Sequence, residues 1–102
     1  MKFSLYGDIN YNVELFKESS GVLLDVRTRK EYADGHIPNS ILLPLDELDR
    51  IGEIIPDTST EIFAYCRSGN RSGKAEAILK YMGYKNARNI GGIIDYKGVI
   101  EK

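Results

Sequence analysis

The chain has 102 residues, of which 42% are hydrophobic and 28% charged. This is the make-up of one globular domain, long enough to bury ~60–70% of its unfolded surface without staples. Fourteen basic against fifteen acidic residues leave a formal charge of −1, which argues against a general nucleic-acid binder, since that needs a basic excess to collect phosphates. One cysteine and one histidine cannot make a disulfide scaffold or a structural zinc site of four Cys/His ligands, so no metal or other cofactor is expected.

No apolar h-region follows Lys2, and the longest apolar runs, at 22–24 and 41–43, are far below the ~20 residues of a membrane span. A single domain over residues 1–102, a cytoplasmic location and no membrane partner are the expectations.

Residues 12–19 hold Val13, Leu15 and Phe16 among polar residues, a short helical signal that Gly21 closes. Residues 22–26 are a short apolar run with β-branched ends, which suits a strand buried on both faces. Thr28 caps a short helix, because Glu31 stands three residues on at capping-box spacing; that helix stops at Gly35. Residues 41–43 read as a second strand, fenced by Pro38 and Pro44. A helical piece starts at Leu45 and reaches toward Ile54 and Ile55 before Pro56. The third strand, 61–65, runs into the polar loop 66–72. Ser72 to about Met82 is the clearest helix, with Ala75, Ile78, Leu79 and Met82 at i, i+3, i+4, i+7 spacing. Gly83 ends it. Ala87 to Ile90 is a fourth strand, followed by Gly91 and Gly92. This alternation predicts an α/β fold: a central, mostly parallel sheet of about four to five short strands with helices on both faces.

Ligand crevices in such sheets lie at the carboxyl ends of the strands, and Cys66 stands at one. The residues after it, Arg67-Ser68-Gly69-Asn70-Arg71-Ser72, are short, polar or cationic. Gly69 lets the backbone curl, a run of curled N–H groups makes an anion nest, and the start of the next helix adds partial positive charge. Each feature favours a thiolate; helix N-termini with nearby arginines lower a cysteine pKa from ~8.5 to roughly 3.5–7.5. The same features attract an anionic substrate, which an arginine grips with two parallel hydrogen bonds. The strand alone fits an inert buried thiol better than a reactive one. Two arginines buried beside it would be costly without an anion to pair with, and this turns the reading toward a nucleophile.

Leu24-Asp25-Val26-Arg27, then Glu31-Tyr32, then Gly35-His36-Ile37-Pro38 resemble the N-terminal motif of the rhodanese homology family. The loop 66–72 resembles that family's active-site loop, and Gly91-Gly92 followed by an aromatic resembles its C-terminal element. All three occur in register over residues from about 9 to 98, so the chain looks like a single-domain rhodanese. Two departures lie outside the loop: Asn39 where a glycine is common, and Tyr96 where a tryptophan is common.

The resemblance implies a rhodanese-like fold and a ping-pong sulfurtransferase. Cys66 attacks the outer sulfur of a small anionic donor such as thiosulfate, becomes a persulfide, and loses that sulfur to cyanide or a thiol. Loop N–H groups from Ser68, Gly69, Asn70 and Ser72 steady the persulfide, while Arg67 and Arg71 orient the donor. Related phosphatases have one residue more between cysteine and arginine. The four residues here favour sulfur over phosphate, and arsenate reduction lacks a resolving thiol. A sulfur carrier serving a protein donor or acceptor shares the chemistry and stays open. A binding domain without activity is disfavoured by the presence of Cys66.

Outside the loop, Asp25 and Arg27 read better as an ion-pair network that ties loops together than as charges acting on the nucleophile. His36 is a tempting acid–base residue, but its place in the family motif implies a packed, hydrogen-bonded turn. Asp25, Arg27 and His36 are therefore expected to support the site rather than to react.

Overall fold

A computed structural model describes residues 8–102. The expectation of no leader after Lys2 falls on residues 1–7, outside the described residues. The chain runs through α1 (Ile9–Lys17), β1 (Val22–Asp25), α2 (Arg29–Asp34), β2 (Ser40–Leu42), a 3₁₀ segment (Leu45–Arg50) leading into α3 (Ile51–Ile54), β3 (Ile62–Cys66), α4 (Asn70–Tyr81), β4 (Ala87–Gly92) and a last 3₁₀ turn (Ile93–Asp95). The four strands form one parallel sheet in the order β2-β1-β3-β4. Among the described residues no helix is long and apolar enough to cross a membrane.

Side chains alternate across a strand, and here each side of the sheet has its own core. Leu23, Phe63, Tyr65 and Ile90 pack with Ile9 and Val13 of α1. Leu24, Ile62 and Cys66 pack with Ile51 of α3 and with Ala75 and Leu79 of α4. Alternation along β3 therefore sends Tyr65 toward α1 and Cys66 toward α4. β3 lies between β1 and β4 and is buried along its whole length, as a parallel strand covered on both faces must be.

Local signals explain the elements around the site. Thr28 caps α2 in a full capping box with Glu31. Asn39 has φ +71°, a left-handed position that asparagine tolerates and that accounts for glycine being common there.

Three details differ from the sequence reading. The buried stripe of α4 is Ser72, Ala75 and Leu79, while Ile78 and Met82 stand 41% and 38% exposed. Small residues at 72 and 75 let the helix close against the sheet, which the longer apolar side chains would prevent. The helix also begins at Asn70 rather than Ser72, because Gly69 turns the chain straight into it with φ +101°. Finally, β4 continues through Gly92 by way of a bulge. Ala64 faces Asn89 and Tyr65 faces Gly91, so Ile90 is an extra residue opposite β3.

Candidate active site

Cys66 closes β3 with its thiol buried on the α4 side. The chain then curls through Ser68 and Gly69, and the Gly69 N–H points back at Sγ at 3.0 Å. Ser72, buried in the first turn of α4, places its hydroxyl 3.4 Å from the same sulfur. No side chain caps α4, so its first N–H groups are left directed at the loop. Burial pushes the Cys66 thiol up. Hydrogen bonding from Ser72 and from the N–H groups of Ser68, Gly69 and Ser72 outweighs it, and the thiol lies below its ordinary value.

The arginines are not arranged as the sequence suggests. Arg67 is exposed rather than buried, since the loop curls outward there. It lines an open pocket of about 310 Å³ with Arg27, Glu31, Ile94 and Ile100. Arg71 is half-buried and already has an anion: its two terminal nitrogens donate to the two oxygens of Glu31 at 2.7 and 2.9 Å. That guanidinium holds the Glu31 carboxyl down at about 2. The cost of buried arginines is thus no argument for a bound anion: Arg67 stands in solvent, and Arg71 is already shared with Glu31.

Asp25 and Arg27 are both buried and tightly joined. Arg27 donates Nη2 to Asp25 Oδ2 at 2.7 Å and Nε to both carboxylate oxygens at 3.0 and 3.1 Å. The same Nη2 holds the Gly35 carbonyl at 2.7 Å, which fixes the turn after α2 to the end of β1. His36 stacks on Tyr32, ring centroids 3.8 Å apart. Its Nδ1 lies 2.8 Å from the Tyr32 carbonyl, and its backbone pairs antiparallel with Glu101. Asn70 stands exposed at the start of α4.

Three contributors escaped the sequence reading. Glu31 appeared there as a capping residue and as part of the N-terminal motif, not as the partner of Arg71. Tyr65 lies on the α1 side, where its Oη accepts the Ile37 N–H at 3.1 Å and donates to Ser40 Oγ at 3.3 Å. Asn89 of β4 accepts a 2.6 Å hydrogen bond from the Ser72 hydroxyl. The signal for Asn89 was present, because asparagine is depleted in strand interiors.

A thiol met by an N–H and a hydroxyl, with a cationic, partly apolar mouth, is suited to covalent transfer from an anion. Comparison with known proteins points the same way. The rhodanese-like domain family matches residues 10–98. Thiosulfate sulfurtransferase PspE of Escherichia coli is 38% identical over 73 residues, covering 71% of this chain and 70% of that protein. The adenylyltransferase and sulfurtransferase uba4 of Ogataea parapolymorpha is 33% identical over 93% of this chain, which spans only 27% of that longer protein. Among solved structures, a rhodanese with anions from E. coli superposes with a TM-score of 0.76 at 34% identity, covering 81% of this chain and 99% of that one. The chain belongs to the rhodanese-like domain family.

Proposed function

We propose that the chain is a thiosulfate-type sulfurtransferase with Cys66 as its nucleophile. The observation that carries this is the sulfur cradle: Sγ at a strand end, met by the Gly69 N–H at 3.0 Å and the Ser72 hydroxyl at 3.4 Å. The Cys66 thiolate attacks the outer sulfur of thiosulfate; the S–S bond of the donor breaks and sulfite leaves with the electron pair. The persulfide anion then sits where loop N–H groups stabilise it. Cyanide or a thiol attacks the terminal sulfur, and the Cys66 thiolate is released. No second cysteine is present, so the acceptor is a separate molecule. We place the reaction in the reducing cytoplasm, where thiol acceptors stay reduced.

Incubation with thiosulfate followed by intact-mass measurement tests this. Wild type gains the mass of one sulfur atom and Cys66→Ser gains none. Absence of that gain in wild type overturns the proposal.

A second reading has a partner protein as physiological donor or acceptor. It is favoured by the exposed Ile94 and Ile100 beside Arg67 at the mouth. Slow turnover with cyanide together with fast transfer to a partner would select it.

A further inference from the structure

The side chain of Asn89 gathers three hydrogen bonds near the end of β4. Its Oδ1 accepts from the Ser72 hydroxyl at 2.6 Å and from the Gly91 N–H at 2.9 Å. Its Nδ2 donates to the Gly69 carbonyl at 3.0 Å. Its backbone N–H donates to Glu76 Oε1 of α4 at 2.7 Å, so the residue is anchored on both sides. The bulge makes this possible. With Ile90 taken up in the core on the α1 side, Asn89 and Gly91 close on each other and the amide is held beside the loop.

Two of the three partners of that amide are the residues that meet Cys66 Sγ. Gly69 has φ +101° and no side chain to restrain it; the hydrogen bond from Asn89 to its carbonyl anchors the Gly69–Asn70 peptide, so only φ and ψ of Gly69 lie between that anchor and the N–H that meets the sulfur. Ser72 has one hydroxyl proton. Its oxygen is held between Asn89 Oδ1 at 2.6 Å and the sulfur at 3.4 Å, so the contact to Asn89 sets where the hydroxyl stands relative to the sulfur.

We propose that Asn89 is a positioning residue, aligning two of the hydrogen-bond donors of the Cys66 sulfur, Gly69 and Ser72, without touching sulfur or substrate. This rests on the reading of Cys66 as the nucleophile. Charged groups at this end of the sheet are Arg71 of α4, which acts on Cys66, with Glu31 and Asp25 acting on it, Arg27 paired to Asp25, Arg67 at the mouth, and Glu76 behind Asn89. A change at Asn89 leaves all of them in place.

The test is the pH dependence of iodoacetamide alkylation of Cys66, compared in wild type, Asn89→Ala, Asn89→Asp, Ser72→Ala and the Ser72→Ala/Asn89→Ala double variant. Asn89→Ala raises the midpoint by about one pH unit, and kcat/KM for thiosulfate falls about tenfold. Asn89→Asp keeps the acceptor for Ser72 but cannot donate to Gly69, and its charge opposes a thiolate, so its midpoint rises at least as far. Ser72→Ala shifts the midpoint less in the Asn89→Ala background than in wild type. Should Asn89→Ala fail to fold, the isosteric Asn89→Asp decides. A folded variant with the wild-type midpoint overturns the proposal. Alkylation needs no sulfur donor, so a wild type that takes no sulfur from thiosulfate would overturn the activity and leave this result standing.

Discussion

Arg71 of α4 grips both oxygens of Glu31 of α2, at 2.7 and 2.9 Å. The same carboxylate accepts the Thr28 N–H at 3.0 Å and caps its own helix. One side chain therefore caps α2 and holds the helix that follows Cys66. The two helices lead from β1 and β3, which are neighbours in the sheet, so the pair spans the carboxyl end where Cys66 sits.

Glu31 is shifted from 4.5 to about 2, chiefly by its hydrogen bonds from Arg71. A carboxylate whose folded value is depressed adds stability that is complete above its unfolded value and is lost as pH falls through the folded one. Glu31→Gln is accordingly less stable than wild type at pH 7, by about 1 kcal/mol for a partly exposed pair. Urea unfolding at several pH values should show the gap narrowing below pH ~4.5 and closing near pH ~2. A gap that stays constant across that range contradicts the assignment.

Arg71 also bears on donor use. Arg71→Lys keeps the charge and loses the planar fork. Steady-state kinetics should place its kcat/KM for thiosulfate well below wild type, by about tenfold, with Arg71→Ala lower still. Wild-type activity in Arg71→Lys would show that two-pronged recognition is unimportant.

Tyr65 separates stability from reactivity. Its Oη satisfies the buried Ile37 N–H at 3.1 Å on the sheet face opposite Cys66. Tyr65→Phe orphans that N–H, at a cost of about 1–3 kcal/mol, while the pH midpoint of Cys66 alkylation stays where it was. A moved midpoint would mean that the two faces are coupled.

Gly92 runs directly under the loop: a Cβ there would overlap the Arg67 carbonyl oxygen and the Ser68 Cα, both backbone. Gly92→Ala must displace the loop, and sulfur uptake from thiosulfate should fall more than about tenfold, in keeping with the cost of a small misplacement at a reacting centre. Gly52→Ala, whose Cβ would meet only the Tyr84 hydroxyl at 4.0 Å, serves as the control with unchanged uptake.

The residues that announce the site in sequence are those whose effect is local. Cys66, Gly69 and Ser72 lie within seven consecutive residues, and the Thr28–Glu31 capping box within four, so spacing alone points to both. The Glu31–Arg71 pair is 40 residues apart and the Asn89–Ser72 contact 17; no periodicity links them. Arg67 was placed inside on the strength of its neighbours, whereas the outward curl of the loop leaves it in solvent. On α4, apolar periodicity pointed to Ile78 and Met82. Ala75 and Leu79 of the same pattern are buried as expected, but the close approach to the sheet admits the small Ser72 at the contact rather than the longer Ile78 and Met82.

The extra residue at Ile90 bears on how this site could be moved to another scaffold. Transplanting residues 66–72 alone would carry the nucleophile and its N–H groups but leave behind the amide that steadies them. Deleting one residue from β4 to straighten its register would undo the approach of Asn89 to Gly91, and with it the hold on the loop. The smallest portable unit is the loop together with the last four residues of β4, their spacing included.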